Sequence, residues 1–302
     1  MDTPDVKKSA GMAYVAGAFG VWGLLPLYWR AFSAIDSLQI MACRIAFSLL
    51  FIWLFLAWRR NLHWPRLLLD PVSLMPLLRS AMLISLNWGI YIWAVNAGHT
   101  VEASLGYFIN PLVNVLLGLI FFKEKLPILQ WVAFGLAFAG VALLTLFSGK
   151  VPWISLCLAF TFAFYGLSKK RLTLNSLEAL GAETLLMLPL AILILTVRQI
   201  QGAGVFSGPP IRSLLLVPSG IISAIPLYWF AQGAKAIPLS TMGFLQFISP
   251  TLQLIIGVAV FREAFPAKNF LAFGFVWLGL LFYALSLARP SAGPDKTRSD
   301  AG

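Results

Sequence analysis

Arg44 and Glu183 are the residues in this chain whose chemistry most needs an account. Each stands seven positions past a serine, Ser37 or Ser176, inside a long apolar run. A charge in such a run needs a partner, water or a ligand, because a bare charge in hydrocarbon is costly. An arginine there can hold an anionic group. A glutamate can hold a cation or carry a proton, which makes Glu183 the proton-coupling candidate. The plainer alternative is a structural ion pair.

Two polar helix faces form a second set. Tyr107, Asn110 and Asn114 are spaced i, i+3, i+7, and Gln246, Ser249 and Gln253 repeat that spacing. Beside them stand Pro111 and Pro250, each lacking a backbone donor and able to kink its helix. A carbonyl freed by a kink is tolerated where neighbours or a cavity satisfy it, so both faces read as cavity lining. The competing reading is hydrogen-bonded glue between helices, worth about 0.6 kcal/mol per contact. Aromatic residues make a third set. Trp22, Trp88, Tyr91, Tyr165 and Tyr228 could stack on a planar or amphipathic solute, with Asn87 four residues before Tyr91 and Gln232 four after Tyr228. Trp29, Trp53 and Trp58 near run ends read instead as an interfacial aromatic belt.

Some chemistry is absent from the sequence. There is no G-x-x-x-x-G-K-[ST] for a nucleotide-driven pump. Two histidines and two scattered cysteines make no metal site, and no cofactor is expected. Cys43 and Cys157 both fall in apolar runs and give no disulfide framework.

The elements that must position these residues follow from composition. The chain has 302 residues, 60% hydrophobic and 11% charged, with a mean hydropathy of +0.86. Soluble domains are about 45–50% apolar and about 25% charged, so the chain reads as a polytopic membrane protein. Ten apolar runs are long enough to span a bilayer as helices: 11–29, 37–58, 77–95, 103–122, 129–147, 151–167, 176–197, 214–232, 241–261 and 269–287. The net charge of +11 is then a matter of topology, not nucleic-acid binding. Ten spans put fifteen Lys and Arg on the side of both termini and six on the other, with Arg44 inside a span. Basic residues gather on the cytoplasmic side, so both termini are expected there. The first run is too long for a signal peptide and reads as an uncleaved span. The segment 289–302 is polar and reads as a disordered cytoplasmic tail.

The stretches "FFKEKLPILQWVAFGLAFAG" from Phe121 and "VFREAFPAKNFLAFGFVWLG" from Val260 show that the chain repeats itself. A shift of 139 positions gives eleven identities in 33 positions between Phe108 and Gly140, where chance gives about three. The repeated glutamates, Glu124 and Glu263, read as hinges. Five spans per copy is an odd number, so the second copy enters the membrane from the opposite side. The expected fold is an all-α membrane protein of ten helices in two inverted five-helix repeats, 11–148 and 151–288 after a cytoplasmic N-terminus at 1–10. A central cavity lies between the halves. Inverted repeats suit alternating access with substrate held near the midplane.

The block "NWGIYIWAVNAGHTVEASLGYFINPLVNVLLGLIFFKEKLPILQWVAFGLAFAGV" from Asn87 resembles the RarD branch of the EamA family, in the drug/metabolite transporter superfamily. "LAFTFAFYGLSKK", "ETLLMLP" and "LSTMGFLQFISPTL" are similar to it too. The resemblance spans about 11–287. It implies a bacterial inner-membrane permease, linked through the family to chloramphenicol sensitivity, whose relatives export amino acids, drugs and other small metabolites. Family members often carry His before the Arg of the second helix, where this chain has Cys43. The reading is therefore a non-enzymatic secondary transporter that meets the lipid bilayer and a small-molecule solute. A homodimer is left open. The alternatives are a membrane-embedded lipid or isoprenoid enzyme and a non-transporting scaffold.

Overall fold

The computed structural model describes residues 4–32, 35–97, 99–149, 152–207, 210–262 and 267–288. Glu263 and the tail 289–302 lie outside the described residues. The described residues form helices and turns with no strand. In chain order the α-helices are α1 Pro4–Trp29, α2 Ser37–Trp58, α3 Pro71–Asn96, α4 Thr100–Phe122, α5 Ile128–Ser148, α6 Trp153–Arg171, α7 Ser176–Ile200, α8 Pro210–Leu216, α9 Ser219–Ala236, α10 Leu239–Gln246, α11 Ile248–Ile255 and α12 Ala267–Ala288. A π-helical turn, Ile256–Val260, extends α11.

Among the described residues, eight helical stretches are long and apolar enough to cross a bilayer: Val6–Phe32, Ser37–Trp58, Leu105–Phe122, Ile128–Phe147, Ser176–Ile200, Ser213–Ala236, Leu239–Val260 and Asn269–Ala288. The sequence runs at 77–95 and 151–167 fall on α3 and α6, which are not among the eight. Their composition sets them apart. α3 carries Ser73, Arg79, Ser80, Ser85 and Asn87, and α6 ends in Lys169, Lys170 and Arg171.

Local structure follows the 139-residue shift closely. Asp36 caps α2 by accepting from the amides of Leu38 and Gln39 at 3.0 and 3.3 Å. Its counterpart Asn175 caps α7 through Leu177 and Glu178 at 2.9 and 3.4 Å. Such caps satisfy amides that the first helical turn leaves bare. Lys123 and Arg262, another matched pair, are both left-handed, with φ of 52° and 56°. They end α4 and the π turn at the same point of the repeat.

The chain packs as two compact units, and each draws on both halves of the sequence. The smaller covers 125–150 and 266–302 and holds α5 and α12. These two helices run antiparallel. Gln130 donates to Ser286 at 3.0 Å near one end, and Gly140 meets Ala272 near the other. A Cβ on Gly140 would lie 2.5 Å from the Ala272 carbonyl oxygen, and one on Gly279 would lie 2.8 Å from that of Ala133. Gly140 and Gly279 are matched residues, as are Ala133 and Ala272, so each helix offers the other the same contact. Small residues that let backbones approach this closely are the usual adhesive between helices in lipid.

The larger unit covers 1–124 and 151–265 and contains the other helices. Glycines again set its closest approaches. A Cβ on Gly106 of α4 would lie 3.1 Å from the Ser155 carbonyl of α6, and one on Gly23 of α1 3.2 Å from the Ser249 carbonyl of α11.

Candidate functional site

The larger unit encloses a cavity of about 340 Å³. Its wall takes Trp22 and Trp29 from α1, Ser37 and Arg44 from α2, Asn87, Trp88 and Tyr91 from α3, Tyr107 and Asn110 from α4, Phe162 from α6, and Gln246, Ser249, Pro250 and Gln253 from α10 and α11. These positions lie near the end of α1, the start of α2, the second half of α3 and the first half of α4. The cavity is thus displaced toward the end of the unit where α1 gives way to α2.

Arg44 is held on three sides. Its Nε donates to Ser223 Oγ of α9 at 2.9 Å. Its guanidinium lies 5.0 Å from the Trp29 ring and 5.2 Å from the Trp88 ring, a cation–π arrangement available to a planar, weakly hydrated cation. Among the described residues no carboxylate forms an ion pair with it. Tyr91 and Tyr107 line the cavity nearby, with ring centroids 6.0 Å apart.

The polar faces read from the sequence meet in this region. Asn110 Nδ2 donates to the Ala159 carbonyl at 2.9 Å. Asn114 Nδ2 donates to Asn110 Oδ1 at 3.0 Å and to Gln246 Oε1 at 2.7 Å. Gln253 Nε2 donates to Ser249 Oγ at 3.2 Å and to the Trp22 carbonyl at 3.4 Å. Asn87 Nδ2 donates to the Leu158 carbonyl and to Thr161 Oγ1, both at 2.8 Å. The two readings of these faces therefore coexist. The same amides tie helices together and wall the cavity, while Asn114 is fully buried and serves as a tie.

Several candidates lie elsewhere. Glu183 is 2% exposed, does not line the cavity and pairs with Lys169 at 2.6 and 2.5 Å through its two oxygens. It does not pair with Arg44. Lys169, one of the fifteen basic residues that ten spans put on the side of both termini, is fully buried. Its Nζ also lies 5.3 Å from the ring of Tyr165, which stacks on Phe230 at 5.9 Å rather than reaching the cavity. Tyr228 accepts from Gln232 at 2.9 Å and borders a second, more open hollow of about 880 Å³. Trp29, assigned to the aromatic belt, instead packs against Arg44.

The two prolines differ, and the glutamate read as a hinge is held in place. α4 runs through Pro111 without a break. The matching helix that carries Pro250 breaks at Phe247, three residues before the proline. Pro250 has no N–H for the carbonyl of Gln246, so the helix loses its bond at that turn. Glu124 is an anchor. Its carboxylate accepts from the amides of Leu239 and Ser240 at 2.7 and 2.9 Å and from Ser240 Oγ at 2.6 Å, capping α10. A carboxylate is favoured at a helix N-terminus.

Glu124 and the Lys169–Glu183 pair lie away from the α1–α2 end, beyond the cavity floor, and on that side Gln246 of the wall is tied to Asn114. Lys170 adds a bond to the Ile237 carbonyl, and Lys235 one to the Leu174 carbonyl. The floor itself is aromatic, with Phe19, Trp22, Phe162 and Phe230 packed at centroid distances of 5.3 to 5.9 Å.

Sequence reasoning missed Lys169, Ser223, Phe162 and the role of Trp29. A lone Glu183 in an apolar run does announce a cation, and Lys169 lay within one helix of it. Ser223 carries no comparable signal, since a single serine in a span is common and its partner is 179 positions away.

Comparison with known proteins agrees with this architecture. The EamA-like transporter family matches residues 9–146. Protein RarD of Streptomyces exfoliatus is 43% identical over 291 residues, covering 94% of this chain and 92% of that protein. An uncharacterized transporter of Bacillus subtilis, YojE, is 43% identical over 291 residues, covering 95% of this chain and 96% of its own length. A protein solved by crystallography shares the fold with a TM-score of 0.71 at 17% identity, over 92% of this chain and 99% of that one. Full-length similarity at this level, on a helical frame with many bilayer-crossing stretches, makes this a multi-pass membrane transporter, and the chain belongs to the RarD branch of the EamA-like family in the drug/metabolite transporter superfamily.

Proposed function

We propose that the protein moves a small organic solute across the bacterial inner membrane by alternating access, as a secondary transporter of ten membrane-crossing helices in two inverted repeats, 11–148 and 151–288. The observation that carries this is the cavity walled by matched polar faces, Tyr107 and Asn110 from the first repeat and Gln246, Ser249 and Gln253 from the second. The matched helix caps, the matched left-handed residues and the reciprocal α5–α12 glycines support the repeat. Substrate sites at repeat interfaces are common among transporters of this architecture.

The bias of basic residues puts both termini in the cytoplasm. The α1–α2 end then faces outward, and the Asn114–Gln246 end is the cytoplasmic closure. Under the 139-residue shift, the Asn114–Gln246 pair becomes Gln253–Tyr107, two residues that line the open cavity. Parting the first pair and joining the second would turn the cavity to the cytoplasm. A lipid or isoprenoid enzyme would need a carboxylate or histidine cluster, and among the described lining residues there is none.

The test is flux in proteoliposomes. A panel of amino acids, organic acids and chloramphenicol is loaded inside, and release is compared with empty liposomes. At least one solute is expected to leave faster, and the Asn114→Leu, Gln246→Leu variant to slow it. If nothing moves while the Streptomyces exfoliatus relative transports in the same vesicles, the transporter reading fails for this chain.

A further inference from the structure

We propose that the cavity selects small organic monocarboxylates bearing a planar apolar group, with Arg44 holding the carboxylate. The proposal deepens the transporter reading and depends on it for its physiological meaning, but not for its test. It starts from charge. Among the described residues that line the cavity, Arg44 carries the one formal charge. The carboxylate that the repeat pairs with it by position, Glu183, has both oxygens on Lys169 and is buried away from the cavity. Tyr91 and Tyr107 are phenols, neutral at physiological pH. Among the described residues, the cavity therefore holds a cation without a counter-charge, in surroundings where a charge calls for one.

The geometry narrows the ligand further. The Trp29 and Trp88 rings lie 5.0 and 5.2 Å from the guanidinium, and Ser223 takes its Nε. With Nε taken, the two terminal amino groups have no hydrogen bond among the described residues. Paired N–H groups in a fixed plane match the two oxygens of a carboxylate. One guanidinium balances one negative charge, so a phosphate ester, at about −1.5 to −2, would keep an excess charge in the cavity. A cation would be repelled. The wall is also rich in aromatic rings, Trp22, Trp88, Tyr107 and Phe162 among them. The volume of about 340 Å³ is at the small end for ligand pockets and suits one ring system with a short acid arm. A neutral drug such as chloramphenicol offers Arg44 no carboxylate.

The test uses matched probes on the detergent-purified full chain, read as ligand-induced thermal stabilisation. Phenylacetate, phenylacetamide and phenethylamine share a skeleton and differ in charge, as do indole-3-acetate, indole-3-acetamide and tryptamine. The acids are expected to reach half-maximal stabilisation at a concentration at least about tenfold below their amides, which is about 1.4 kcal/mol, with the amines weakest. Arg44→Gln is expected to erase the difference between acid and amide while keeping the amide response, and Arg44→Lys to restore part of it. The ranking of the three charges on the unsubstituted protein already decides the matter if Arg44→Gln fails to fold. Amides or amines equal to the acids, an acid preference that survives in Arg44→Gln, or no response to any acid would each overturn the proposal. Acid-selective stabilisation with no flux in vesicles would overturn the transporter reading and leave this one standing.

Discussion

Arg44 and Glu183 occupy equivalent positions in the repeat, yet the fold uses them in opposite ways. Arg44 faces a cavity and is only partly enclosed. Glu183 is sealed against Lys169, whose side chain is 1% exposed. Removing one partner of a buried pair leaves an uncompensated charge and costs roughly 3–5 kcal/mol, whereas replacing both with apolar groups of similar size is often nearly neutral. Thermal unfolding in detergent should therefore show Glu183→Gln strongly destabilised and the Lys169→Met, Glu183→Leu pair close to the unsubstituted protein. A destabilised double variant equal to the single one would mean that the pair is not what stabilises this end. The polar faces were legible in the sequence because helical spacing aligns Tyr107, Asn110 and Asn114 whatever they touch. Lys169 was hidden in the run "SKKR", where burial of one lysine out of two cannot be told from order alone. Trp29 misled because its place at a helix end fits an interfacial belt as well as it fits a guanidinium.

At the scale of elements, each of the two repeated stretches carries two glycines five residues apart, and the two are of different kinds. Gly135 and Gly274 have nothing within 4 Å of an added Cβ, while Gly140 and Gly279 would strike backbone at 2.5 and 2.8 Å. Overpacking a tight site costs roughly 1–3 kcal/mol. Gly140→Leu and Gly279→Leu should each lower thermal stability by about that much, with Gly135→Leu and Gly274→Leu near neutral. Equal effects at all four positions would mean that α5 and α12 do not pack as described. The sequence could mark these glycines as a pattern, but only the facing backbone separates the two kinds. The same holds for Pro111 and Pro250. Identical chemistry leaves one helix intact and accompanies a break in the other, because the result depends on which neighbours satisfy the freed carbonyl.

For the whole molecule, composition alone indicated a helical membrane protein. The division into compact units was not legible, because it cuts across the linear halves and pairs the last helix of each. The number of crossings also depends on two helices, α3 and α6, whose polar residues serve the interior and weaken their apolar signal. Topology gives the direct check. With Cys43 and Cys157 replaced, a cysteine at Lys125, in the turn between α4 and α5, should react with a membrane-impermeant maleimide only after cells are opened, and one at Gly202, in the turn after α7, should react in intact cells. Labelling of both positions from the same side would rule out the ten-crossing arrangement.

The α5–α12 contact has a consequence for how such a chain could arise. Gly140 seats Ala272, and Gly279 seats Ala133, so one helix of this kind already carries both halves of the clasp: the notch and the residue that fills a notch. Two copies of a single five-helix ancestor, inserted in opposite senses, would close the same antiparallel seam without any new residue. Gene fusion would then have joined partners that already fitted, and the two sides of the seam would have been free to drift apart only as far as neither notch was filled.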